Sequence, residues 1–152
     1  MIDTGVIYKI KSILGSSELV EDPQTVESYS GDALTPERAF GAEHLLHHKA
    51  DLVVKPNNTH QVSEIIKLAS KHMIPIVPYG GGTGVMGAVV PLHSGIIMDL
   101  GTMDRVLQVD RLSRTVTVQA GALLKTLATT LDRHGLLLGH DPWSVPIATV
   151  GG

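Results

Sequence analysis

Of the chain's 152 residues, 43% are hydrophobic and 18% charged, and the formal net charge is -3. The length allows one domain with a real core but not two of ordinary size, and the composition is that of a folded chain rather than a disordered one. The acidic balance offers no basic footprint for a nucleic acid, and the absence of cysteine removes disulfides, thiolate metal sites and cysteine nucleophiles.

The opening run MIDTGVIYKIKSILG carries Asp3, Lys9 and Lys11 and has no apolar stretch long enough for a signal peptide or a membrane span. A cytoplasmic location is the expectation. Val6, Ile7, Ile10, Ile13 and Leu14 recur at helical spacing behind a cap at Asp3 or Thr4, with Gly15 placed to end the helix. Asp22-Pro23 has the cap-plus-proline form of a second helix start, reaching Tyr29. Residues 30–50 show no steady period and read as a long loop. Its His44, His47 and His48 lack the carboxylate or cysteine partners that would complete a metal site, so they read as solvated.

From Asp51 short apolar runs alternate with an amphipathic segment, as in an α/β arrangement. Leu52-Val53-Val54 is a strand closed by Pro56. A helix follows, capped by Asn58 or Thr59, with Val62, Ile65, Ile66, Ala69 and Met73 as its apolar face and Pro75 as its end. Ile76-Val77 forms the next strand and delivers the chain to a glycine loop. Another strand is expected at 96–100, and a β-hairpin at 105–109 and 114–118 around the turn Asp110-Arg111-Leu112-Ser113. Leu123, Leu124, Leu127, Ala128 and Leu131 mark a last helix ended by Gly135, and Leu136-Leu137-Leu138 a short buried strand.

The glycine loop is the most informative stretch. Gly80, Gly81, Gly82, Gly84 and Gly87 fall within eight residues, a density that implies close approach to the main chain or several positive φ angles. Gly82-Thr83-Gly84-Val85-Met86-Gly87 spells G-x-G-x-x-G, but Pro91 and Gly95 leave no room for the helix that a dinucleotide site of that kind needs. A Walker loop is excluded because no G-K-[ST] follows. A second backbone-exposing stretch closes the sequence at 139–152, and two such loops are suited to gripping a diphosphate from opposite sides. Aromatic residues make up only 3% of the chain, few for a cofactor pocket.

Taken together, Pro78-Tyr79-Gly80-Gly81-Gly82-Thr83-Gly84, the strand pair at 100–109, Val118-Gln119-Ala120-Gly121, Asp141-Pro142 with Ser144, and Ala148-Thr149-Val150-Gly151-Gly152 resemble the FAD-linked oxidases. Their flavin domain is the PCMH-type, vanillyl-alcohol-oxidase-like fold, and the nearest branch is the glycolate oxidase and D-lactate dehydrogenase group. The resemblance implies an α+β sandwich, with 1–50 as an N-terminal helical segment and loop and 51–152 as the FAD-binding domain, truncated after its first subdomain. It implies FAD contacts along Pro78, Tyr79, Gly80, Gly81, Gly82, Thr83, Gly84, Val85, Met86 and Gly87, and along Asp141, Pro142, Ser144, Thr149, Gly151 and Gly152. Main-chain N–H groups of the first loop would hold the pyrophosphate, so Gly82→Val is expected to abolish flavin binding.

Some relatives carry a flavin-linked histidine where Thr83 stands, which implies non-covalent FAD here. Tyr79 occupies the place of a frequent arginine, and Met86-Gly87-Ala88 replaces a more usual serine and paired glycines. The family's substrate cap, which handles the 2-hydroxy acid, would lie beyond Gly152, so no catalytic residue is assigned. The expectation is a flavin-binding portion without turnover of its own; a non-catalytic flavin or nucleotide module and an inert gene remnant are the alternatives. An open sheet edge left by such an arrangement would favour self-association.

Overall fold

The computed structural model describes residues 2–15, 19–41 and 43–151. The chain runs α1 (Thr4–Leu14), β1 (Leu19–Val20), α2 (Pro23–Tyr29), β2 (Leu52–Val54), α3 (Thr59–Lys71), β3 (Ile76–Tyr79), β4 (Ile96–Asp99), β5 (Val106–Asp110), β6 (Thr115–Val118) and α4 (Leu124–Arg133). Strands β1 to β4 form one sheet in the order β1-β2-β4-β3, while β5 and β6 pair as a separate antiparallel hairpin. In the larger sheet β2, β4 and β3 run parallel, and β1 lies antiparallel along β2.

Both faces of β2 and β4 are covered, which is why Leu52-Val53-Val54 and Ile96-Ile97-Met98 are continuous apolar runs rather than alternating ones. Side chains of a strand point alternately to its two faces. Leu52, Val54, Ile96 and Met98 meet Val6, Ile10 and Leu14 of α1 and Ile65 and Ala69 of α3. On the other face Val53 and Ile97 pack with Val26 of α2 and with Tyr29, Val77 and Tyr79. The helices start where their caps dictate. The side chains of Asp3, Asp22 and Asn58 accept from the N–H groups of Gly5, Thr25 and Gln61, each such cap stabilising by roughly 1 kcal/mol.

Three expectations are corrected. Helix α3 ends at Lys71, before Pro75, and Met73 takes a left-handed φ of 53°. That reversal leaves Met73 91% exposed, while Ile66 is rotated off the Ile65–Ala69 stripe and is 48% exposed. No strand forms at 136–138, and Leu137 is 92% exposed. Leu136 instead closes α4. Gly135 has φ +69°, and the Leu136 N–H donates to the Leu131 carbonyl at 3.0 Å, the six-to-one bond of a glycine-terminated helix. Finally, 30–50 is not all loop, since it contains the 3-10 turns Pro36–Arg38 and Glu43–His47.

Candidate functional site

The carboxyl ends of the parallel strands lie side by side, because Val54 and Pro78 both register with Met98, and Tyr79 with Asp99. Lys55, Tyr79 and Asp99 therefore gather at one end of the sheet, where open α/β sheets bind ligands. Tyr29, the last residue of α2, reaches this group. Its hydroxyl donates to Asp99 Oδ2 at 3.0 Å and accepts from Lys55 Nζ at 2.6 Å, and its ring centroid lies 4.8 Å from that of Tyr79. Lys55 Nζ is 3.5 Å from Asp99 Oδ2. The hydrogen bond to Tyr29 and the nearby Asp99 hold the Lys55 ammonium above the ordinary lysine range, against the pull of burial. Burial, with Tyr29 and the carboxylates of Asp99 and Asp32, pushes the Tyr79 phenol up, so it stays a neutral hydroxyl at physiological pH.

A cleft of about 480 Å³ opens beside these residues, lined by Tyr29, Tyr79, Gly80, Gly81, Asp99 and Thr149 among others. Its far wall comes from the segment around α4. The second loop folds back on 120–124. Leu123 bridges Thr149, Leu124 N–H donates to the Ala148 carbonyl at 3.0 Å, and Val150 N–H donates to the Ala122 carbonyl at 2.9 Å. Glycines allow the crossings. A Cβ on Gly81 would overlap the Ile147 carbonyl, one on Gly121 the Leu100 carbonyl, and one on Gly151 the Ala120 backbone. The two loops read from the sequence as partners are thus in main-chain contact.

The glycine loop itself contains no helix, in keeping with the rejection of the G-x-G-x-x-G reading. Its glycines serve the fold directly. Gly82 has φ +62° and leaves no room for a Cβ beneath the Tyr79 hydroxyl; Gly87 has φ +73°; a Cβ on Gly84 would press on Asp32. Of the loop's N–H groups, that of Gly87 donates to Asp32 Oδ2 at 3.0 Å. Those of residues 80–86 have no acceptor among the described residues. Such a run of uncommitted N–H groups is the chemistry of an anion cradle. A second uncommitted group is Thr149 Oγ1, which is buried and has no hydrogen-bond partner among the described residues.

The candidate residues divide accordingly. Tyr79, Gly80, Gly81 and Thr149 come together at the cleft. Gly82, Thr83, Gly84 and Val85 continue the loop without lining the cleft, and Met86 and Gly87 line a separate apolar groove with Phe40 and Leu92. Pro78 is exposed on the edge strand β3. Asp141, Pro142 and Ser144 belong to a turn in which Val145 N–H donates to Pro142 and the Ile147 and Ala148 N–H groups to Ser144. They do not line the cleft. Gly151 sits against Ala120, and Gly152 lies outside the described residues. Tyr29, Asp99, Asp104, Gly121, Leu123 and Ile147 also line the cleft, and the sequence reading did not name them as site residues. Asp99 alone carried a signal, as an acidic residue at the end of an apolar run. Among the described residues no group of histidines and carboxylates is placed to hold a metal, and no helix is long and apolar enough to cross a membrane.

Residues 50–152 match the family described as FAD binding domain. The chain belongs to that family. It is 30% identical over 151 residues to D-2-hydroxyglutarate dehydrogenase, mitochondrial, of Arabidopsis thaliana, covering 99% of this chain and 25% of that protein. It is 35% identical over 102 residues to glycolate oxidase subunit GlcD of Bacillus subtilis (strain 168), covering 67% of this chain and 22% of that one. Among solved structures, an alkyldihydroxyacetonephosphate synthase superposes with a TM-score of 0.85 at 26% identity, over 99% of this chain and 31% of the other. The chain thus spans about a quarter of the length of these curated relatives. The fold is the PCMH-type FAD-binding fold, and FAD is its cofactor. The residues present suit FAD: an extended cleft, a run of free main-chain donors at 80–86, and a buried hydroxyl without a partner.

Proposed function

We propose that this chain holds FAD in the cleft between the two loops, as the flavin-binding part of an oxidoreductase acting on a 2-hydroxy acid of the glycolate or D-lactate type. The observation that carries the reading is the free donor run at 80–86, which starts at Gly80 and Gly81 in the wall of the cleft that also holds the partnerless Thr149. Bound FAD would supply the two-electron acceptor. The chain's own residues would bind and orient it: N–H groups at 80–86 on the diphosphate, the Tyr79 and Thr83 hydroxyls as further donors, and Thr149, Gly151 and Gly152 along the second loop. Asp141, Pro142 and Ser144 complete that loop in the proposal. Contacts to FAD are assigned to 51–152, and 1–50 is the segment that supports them. Substrate and proton handling is assigned to the larger share of the relatives that this chain does not span, so turnover by these 152 residues is not expected.

Thr83 has no ring nitrogen to bond to a flavin, so attachment is non-covalent. Incubating the purified chain with FAD and passing it through gel filtration should leave a flavin absorbance with the protein. Acid precipitation should then release all of that flavin into solution. A colourless protein would sink the binding reading; a yellow acid pellet would sink the non-covalent one. Self-association also belongs to this proposal, supported by the outer edges of the β5–β6 hairpin, which are unpaired among the described residues.

A further inference from the structure

We infer that Asp32 is the positioning residue that holds the glycine loop in its FAD-accepting shape. This rests on the FAD reading for its affinity arm only. The residue lies outside 50–152, the part that matches the family, in a segment that the sequence presents as featureless loop. In the structure its carboxylate joins two segments. Oδ1 accepts from its own neighbour Leu34 N–H at 2.9 Å, which fixes the turn, and Oδ2 accepts from Gly87 N–H at 3.0 Å, 55 residues away. A second bond runs beside it in the opposite sense, from Ala33 N–H to the Gly84 carbonyl at 2.8 Å. The far limb of the glycine loop is therefore clamped at Gly84 and Gly87, and the limb between β3 and Gly84 keeps its N–H groups uncommitted.

The clamp is itself anchored. Tyr29 is bound to Lys55 and Asp99, and Ser30 Oγ donates to the Val26 carbonyl while accepting from Ala50 N–H at 3.2 Å. Four residues, Tyr29-Ser30-Gly31-Asp32, thus connect the glycine loop to the ends of β2 and β4. Glycine-rich backbone has a high entropic cost of ordering. A carboxylate that takes one loop N–H, beside the Ala33 bond to Gly84, lowers the cost that the ligand would otherwise meet on binding.

Asp32→Ala removes the acceptor, whereas Asp32→Asn keeps an amide oxygen for Gly87. In the 152-residue chain without FAD, amide hydrogen exchange at Gly87 should be about tenfold or more faster in Asp32→Ala than in the wild type, and near wild type in Asp32→Asn. Exchange at Val53 and Ile97 in the sheet should stay the same in all three, which separates loop release from global unfolding. FAD affinity, read by quenching of flavin fluorescence, should fall about tenfold in Asp32→Ala and be rescued in Asp32→Asn. Unchanged Gly87 exchange or unchanged affinity in Asp32→Ala would overturn the inference. If Asp32→Ala fails to fold, Asp32→Asn decides: loss of Gly87 protection there overturns it, and retention supports it. A wild-type chain that binds no FAD would overturn the site reading instead, and the exchange measurement would still decide the role of Asp32.

Discussion

At the scale of single residues, the glycines illustrate how one signal has more than one reason. Five glycines in eight positions were read as a phosphate cradle, and Gly81, Gly82, Gly84 and Gly87 are each required by contacts or φ angles inside the protein. Gly82→Val would force a side chain into a left-handed conformation and against Tyr79, so it disturbs the fold before it meets any phosphate. Thr149 is the cleaner probe. Its hydroxyl is buried without a partner, a state that costs about 1–3 kcal/mol. Thr149→Val keeps the shape and removes the polar atom. The FAD-free chain should gain roughly 1 kcal/mol in urea unfolding, and FAD affinity should fall, because the lost hydroxyl is one the ligand is proposed to satisfy. A variant that is no more stable, or that binds FAD as tightly as the wild type, would remove Thr149 from the site. Neither the orphaned hydroxyl nor the Asp32 bond was legible in the sequence, since both depend on which distant backbone lies alongside.

Elements were legible where local chemistry decides them. Asp3, Asp22 and Asn58 announced three helix starts, and the apolar runs at 52–54 and 96–98 announced the buried strands. The misplaced side chains share one cause, an apolar residue assigned inward on spacing alone. Met73 and Leu137 lie where the backbone has just reversed at a helix end, and there the period of the helix no longer tells where a side chain points. Strand β1 was missed because two residues cannot show an alternation; only its partner Val53-Val54 defines it. The β5–β6 hairpin was read to within a residue of its bounds, yet its state could not be. A two-stranded sheet is marginal alone, its outer edges are unpaired among the described residues, and Leu107 and Leu112 are exposed on it. Copies of the chain are therefore expected to associate as concentration rises, read by light scattering as a mass above the 16.2 kDa of one chain. Leu107→Lys should reduce that association. A constant single-chain mass up to high concentration would show that the edges are protected.

At the scale of the whole molecule, the cleft is the seam between two packings. On one side is the four-stranded sheet with α1, α2 and α3; on the other are the hairpin, α4 and the second loop. They are joined where main chains cross at Gly81 and Gly121, and the buried leucines of α4 lie outside the two main core clusters. A ligand that binds both loops adds a connection across that seam and binds only the folded chain, so its binding energy appears as stability. With FAD at about one hundred times its dissociation constant, the gain is roughly 2.7 kcal/mol. For a chain of this size that raises the melting temperature by about 5–10 °C. Monitoring the unfolding of the sheet and of α4 separately, by exchange at Ile97 and at Leu127, makes the test specific. FAD should protect both amides if it spans the seam. Protection of Ile97 alone would place the ligand on the sheet side only and would remove the second loop from the site.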